Sequence, residues 1–172
     1  MGSTVVIRTD RRSVDATPDP EGLRLVREGA RGLLEAELAL GKALARIHEN
    51  NAHAYEGSAS LQEFGRRHNL SGQRTLTLFR AAAGMRLDER IEPAVRAGAV
   101  TMDAAAVIGR VLFRLGALDP DHDWLEMARG LAIQKLAAAA RRRIAELDQG
   151  RVSLCTMTFH VPEETVEKFG RA

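Results

Sequence analysis

Between Ser60 and Met85 the chain writes two helices almost back to back. Ser60-x-x-Glu63 has the form of a capping box, in which the serine hydroxyl and the glutamate carboxylate each accept an otherwise orphaned amide of a first helical turn. Leu61 and Phe64 follow as its inward face. At Asn69-Leu70 the chain must reverse, and asparagine tolerates the left-handed backbone better than most residues. Ser71 then caps a second helix whose inward side is Leu76, Phe79 and Ala83, and Gly84 is expected to end it. Two helices joined by so short a turn have to cross and pack at once, which is the outline of a helix-turn-helix.

The rest of the sequence supports a helical setting for that pair. Aromatic residues make up 4% of the 172 residues, and alanine fills the space, with runs at 81–83, 104–106 and 137–140. Alanine is the best helix former and lets helices pack closely. Asp19-Pro20 opens a long helix, because aspartate is a good N-cap and proline suits the first helical position. Leu23, Val26, Ala30, Leu33, Leu34, Leu38, Leu44 and Ile47 recur at helical spacing until Asn50-Asn51. Some 30 residues give a helix about 45 Å long, more than a small domain covers. It must therefore bend near Gly29 or Gly32, or project as an arm that another chain or domain covers.

Downstream, a short helix spans Asp88 to Ala97, starting again at Pro93 and closed by Gly98. Thr101 caps the next, with Val107, Ile108, Val111, Leu112 and Leu115 as its apolar side. Asp119-Pro120 interrupts the chain, and Asp121 or Asp123 starts a helix carrying Trp124 and Leu125. Gly130 separates it from a helix bearing Ile133, Leu136, Ala140, Ile144 and Leu147, which Gln149-Gly150 stops. From Arg151 to Val161 the pattern turns to β-branched and apolar residues with partial alternation, which reads as a strand. A lone strand needs a partner elsewhere, and Pro162 begins another amphipathic segment with Val166 and Phe169. The expectation is thus mainly all-α: residues 1–18 a mobile tail, 19–150 a helical domain with the pair embedded at 60–85, and 151–172 a strand plus the start of a helix leading into a further region.

Charge and cysteine content exclude several classes. The net charge is only +2, but residues 61–90 hold six arginines (Arg66, Arg67, Arg74, Arg80, Arg86 and Arg90) against three acids (Glu63, Asp88 and Glu89). Such a stretch is either an anion-binding face or an ordinary solvated one. Cys155 is the only cysteine, which excludes an internal disulfide and a cysteine-pair zinc site and fits a reducing, cytoplasmic setting. No apolar run approaches the ~20 residues that cross a bilayer, so no membrane partner is expected. Asp121-His122-Asp123 has ligand-type residues, but three in succession chelate poorly without a remote fourth ligand, so it reads as a helix cap. Ser153 and Cys155 have no recognisable base beside them in sequence, and there is no glycine-rich phosphate loop. Catalytic residues, metals and cofactors are therefore none, and the chain is expected not to be an enzyme.

The run A-Y-E-G-S-A-S-L-Q-E-F from Ala54, the turn H-N-L-S, F-R-A-A-A-G-M, R-A-G-A-V-T-M-D-A-A-A-V-I-G-R-V-L and T-F-H-V-P-E-E-T-V-E-K-F resemble, in order and spacing, the N-terminal helical region of bacterial HNH-endonuclease-associated proteins of the DUF222-like, 13E12-repeat type. The resemblance runs from about Ala36 to the C-terminus. It implies the non-catalytic helical part of a longer nuclease-type protein. His48, His53, His68, His122 and His160 are scattered, and none matches the family's nuclease module. Asn69 stands where this kind of turn more usually has glycine.

If the second helix meets DNA, its outward residues are Gly72, Gln73, Arg74, Thr75, Thr77 and Arg80. Gln73 suits adenine, and Arg74 suits guanine or phosphate. Arg66 and Arg67 on the first helix suit phosphates that set register. Arg141-Arg142-Arg143 looks basic, but successive helical residues advance about 100°, so the three spread around the helix and favour a solvated surface. His68 reads as packed or half-exposed. DNA is thus the first partner expected. The alternatives are an interaction module, with a homodimer through the long helix and the unpaired strand, and a helix-turn-helix transcriptional regulator.

Overall fold

A computed structural model describes residues 19–149; the expected tail at 1–18 and the strand and following helix at 151–172 lie outside them. Among the described residues there are helices and no strand: α1 (Pro20–Glu49), a short 3₁₀ turn (Ala52–Ala54), α2 (Leu61–Arg67), α3 (Gly72–Leu87), α4 (Ile91–Arg96), α5 (Met102–Leu115), α6 (Trp124–Gly130) and α7 (Ile133–Gln149).

The helix starts lie where short polar side chains can cap them. Asp19 Oδ1 accepts the Gly22 amide at 2.8 Å. Ser71, Thr101 and Asp123 do the same for α3, α5 and α6. Ser60 Oγ accepts the Glu63 amide at 3.2 Å, while the Glu63 carboxylate reaches the Ala59 amide at 2.9 Å, one residue earlier than a standard capping box would have it. Asn69 is left-handed at φ 61°. The Leu70 amide then returns to the Gly65 carbonyl at 2.9 Å and the Asn69 amide to Arg66 at 3.3 Å, the paired bonds of a Schellman stop. Asparagine thus does the work of the usual glycine in this turn.

α3 is the central helix. The C-terminal half of α1 packs along it, α2 lies across its first turns, α5 packs against its second half, and α7 covers α5. Buried positions on α3 run from Thr75 through Leu78, Phe79 and Ala81 to Met85, and Leu76 is only half-buried. The inward side is therefore broader than the stripe Leu76, Phe79 and Ala83, because α3 has neighbours on several sides.

Three crossings depend on missing side chains. A Cβ on Gly41 of α1 would stand 2.8 Å from the Leu78 carbonyl oxygen. One on Gly84 of α3 would stand 2.7 Å from Gly109 Cα, and one on Gly109 of α5 would run into the Arg80 carbonyl. Gly65 of α2 similarly lies against the Thr75 hydroxyl. Gly84 therefore does not end α3, as its local sequence suggests. The helix runs on to Leu87, and Gly84 is where α5 comes closest.

α1 is continuous through Gly29 and Gly32. Its second half buries Leu38, Gly41, Leu44 and Ala45. Glu35 and Glu37 are tied to Arg96 and Arg74 of the body. N-terminal to Leu34 the helix leaves the body and stands as an arm.

Candidate nucleic-acid interface

The outward face of α3 does not form a ridge. Gln73, Arg74, Thr77 and Arg80 line an open groove of about 570 Å³ whose other wall is Asp103, Ala106, Val107 and Arg110 of α5, with Ile133 at the start of α7. Helical spacing puts Gln73, Thr77 and Arg80 on one side of α3, and the α3–α5 crossing at Gly84 and Gly109 sets how far the walls open.

The arginines divide into tied and untied. Arg67 donates to the Glu56 carbonyl at 2.5 Å, to the Gly57 carbonyl at 3.0 Å and to Glu63 at 2.9 Å, so it staples the preceding loop to α2. Arg74 is paired with Glu37 of α1 and lies 3.8 Å from Asp103. Arg86 pairs with Glu49. Arg90 donates to Asp88 at 2.8 Å and to Asp123 at 3.1 Å, linking the end of α3 to the cap of α6. Asp88 is held below the usual carboxylate range by the Arg90 guanidinium.

Arg80 and Arg110 differ. Neither has a carboxylate partner among the described residues, although both line the groove and a second one beside Phe79, Phe113 and Ile144. Burial, and the like charge of Arg110, lower the pKa of Arg80 below the ordinary guanidinium value. Asp103 lies on the same groove but pairs with neither of them, and two neighbouring guanidinium groups without a carboxylate partner of their own among the described residues favour an anion between them. Arg66 is exposed on α2 and has no ion-pair partner among the described residues.

One assignment is overturned. Thr75 is fully buried (0% exposed), donates its hydroxyl to the Ser71 carbonyl at 3.0 Å and packs on Gly65, so it cannot touch DNA. Its neighbours in sequence face out, but it faces α2. Arg110 is a groove residue that the sequence reading missed. It belongs to a different helix, 30 positions from Arg80, and no local pattern joins the two.

The three arginines of α7 separate as their 100° steps require. Arg143 turns to Asp119, with Nε to Oδ2 at 3.0 Å and Nη2 to Oδ1 at 2.8 Å. Arg141 and Arg142 are both exposed. Asp119 also accepts the Trp124 indole N–H at 2.9 Å and the Asp121 amide at 3.1 Å. Burial alone would raise its pKa, but Arg143, Trp124 and that amide together hold the carboxyl below its usual range. His122 stacks on Trp124 at 5.4 Å, and Asp123 is the cap of α6, so the Asp-His-Asp run is structural. His68 lies against Phe64 at 4.5 Å, half-exposed, with Nε2 3.1 Å from Glu56.

No group of three or more histidine, cysteine or acidic side chains is placed to hold a metal among the described residues, and no helix there is long and apolar enough to cross a membrane. The class that fold and groove define is an all-helical body with a projecting arm and an arginine-lined cleft. No family model, curated protein or solved structure matches the chain.

Proposed function

We propose that this chain is the non-catalytic helical module of an HNH-nuclease-type protein and that it holds DNA by the phosphate backbone. The observation that carries the reading is the pair Arg80 and Arg110, facing one open groove without a carboxylate of their own among the described residues. Gln73 and Thr77 add neutral donors along the same wall, and Arg66, exposed on α2 with no ion-pair partner among the described residues, suits a flanking phosphate. The resemblance in order and spacing to the helical region of HNH-associated proteins supplies the nuclease setting.

A base-reading regulator is the weaker reading. A recognition helix must protrude to enter a major groove about 12 Å wide. The outward face of α3 is instead one wall of a cleft closed on the other side by α5 and α7. Such a cleft suits a sugar-phosphate strand better than base edges.

Duplex binding by the full chain, followed by anisotropy across a salt series, tests this. Each phosphate contact contributes about 0.9 to the slope of log K against log salt. Arg80→Ala with Arg110→Ala should weaken binding at least tenfold and flatten that slope by roughly 2. Gln73→Ala should leave sequence preference unchanged. Absence of wild-type binding at low salt, or a double variant that binds like wild type, refutes the reading. Thermal melting of the double variant controls for folding.

A further inference from the structure

The exposed half of α1 carries a pattern that the body does not use. Stepping 100° per residue, every charge from Glu21 to Glu35 falls on one half of the circumference, where Arg24 clamps Glu21 at 2.6 Å and Glu28 at 2.7 Å. The other half holds only Leu, Val, Ala and Gly. On it Leu23, Val26 and Leu33 are 56%, 69% and 62% exposed. Gly29 and Gly32 have nothing within 4 Å of where a Cβ would stand, whereas Gly41, Gly65, Gly84 and Gly109 each lie where a neighbouring helix comes close. A glycine inside an exposed helix costs about 1 kcal/mol against alanine, so the arm has a cost with no return among the described residues.

We infer that the arm is a dimerisation element and that its occupant is the same half-helix of a second copy, running antiparallel. Val26 and Leu33 alternate with Gly22 and Gly29 at spacings of four and three, the seam of a coiled coil. A single antiparallel register sets Val26 against Gly29 and Leu33 against Gly22 of the other copy. The same register brings Leu23 opposite Ala30 and Leu25 opposite Gly32 on the two flanks. Every large side chain then meets a small one, and the two-fold axis passes between positions 27 and 28. A parallel pair would stack Leu33 on Leu33 and leave glycine facing glycine. The match is self-complementary, as an isologous interface must be, and it places no charge in the seam. The glycines let the two backbones approach, as Gly84 and Gly109 do inside the body. Two arms of about four turns make a small interface, no larger than the roughly 1,000 Å² at which specific association begins, so the dimer is a weak one.

Sedimentation velocity on the full chain from about 1 to about 300 µM spans the range in which so small an interface associates. Wild type should pass from monomer to dimer, and Val26→Glu should stay monomeric with an unchanged melting temperature. A wild-type chain that remains monomeric at the highest concentration overturns the inference, whatever else the arm binds. Register is tested in a Cys155→Ser background with a short bis-maleimide. An equal mixture of Leu25→Cys and Gly32→Cys chains should cross-link to each other, and Gly32→Cys, whose two copies lie about 13 Å apart along the axis, should not link to itself. Self-linking of both variants, the mark of a parallel pair, overturns it equally. None of these positions lies in the Arg80–Arg110 groove, so DNA binding by Val26→Glu stands or falls separately.

Discussion

The body and the arm of this molecule are written in the same residues and differ in what those residues meet. Gly109 lies under the Arg80 carbonyl, and Gly29 lies under nothing. Leu44 is 1% exposed and Leu33, on the same helix, is 62% exposed. An apolar helical period states that a face needs covering. Which chain covers it is a tertiary fact, and along α1 the answer changes between Leu33 and Leu38.

Glycine breaks the comparison most sharply. Gly109→Ala forces a methyl group into the α3 backbone, and neither helix can yield without disturbing the packing of Ala105, Ile108 and Leu112. The expected loss is about 3 kcal/mol or more, at the severe end for core overpacking. Gly29→Ala adds the same methyl group to open space and should raise monomer stability by up to about 1 kcal/mol through helix propensity. Urea denaturation at low micromolar concentration measures both. Equal effects at the two sites would mean that the α3–α5 crossing is looser than its geometry.

These two glycines also mark where the sequence was legible. Caps at Asp19, Ser60, Ser71 and Thr101 can be placed, and that of α6 narrowed to Asp121 or Asp123, because a cap is made within three residues of itself. The turn at Asn69 was equally local. Gly84 reads as a helix stop because glycine has the same local signature at a C-terminus and at a crossing, and only Gly109, 25 positions away, distinguishes them. Thr75 reads as outward because the sequence around it is polar, while its partner Gly65 belongs to another helix. Arg74 could not be seen to be held by Glu37, nor Arg80 to stand beside Arg110, for the same reason. Sequence located the groove's first wall and was silent about its second.

Leucine gives the next largest contrast. Leu44→Ala empties a filled site between α1 and α3 and should cost about 3 kcal/mol. Leu33→Ala, eleven residues earlier, should cost the monomer less than about 0.5 kcal/mol. The same change should weaken association of the arm, so its effect moves from stability to oligomeric state. A Leu33→Ala chain as unstable as Leu44→Ala at low concentration would show that the arm folds back on the body.

The smallest effect separates the two regions by their charges. Glu21 on the arm is held below its usual pKa by the Arg24 hydrogen bond, but that pair is open to solvent and should respond to salt. Asp119 is enclosed, with its side chain fully buried and Arg143 only 15% exposed. A carboxyl whose folded pKa is depressed contributes stability above the unfolded value, about 3.9 for aspartate, and loses it as pH falls toward the folded value. Asp119→Asn keeps the shape but removes the charge that Arg143 and Trp124 address, and should cost about 2 kcal/mol near neutral pH. That difference should persist at about 0.5 M salt, where the Debye length is only about 4 Å, because solvent does not enter the pair. As pH falls from the unfolded aspartate value toward the lower folded one it should shrink, because wild-type Asp119 is then losing the same charge. Urea midpoints for the two chains from neutral pH down to about pH 2.5 measure the difference; one that stayed constant throughout would mean that the carboxylate is not what holds α7 to the loop before α6.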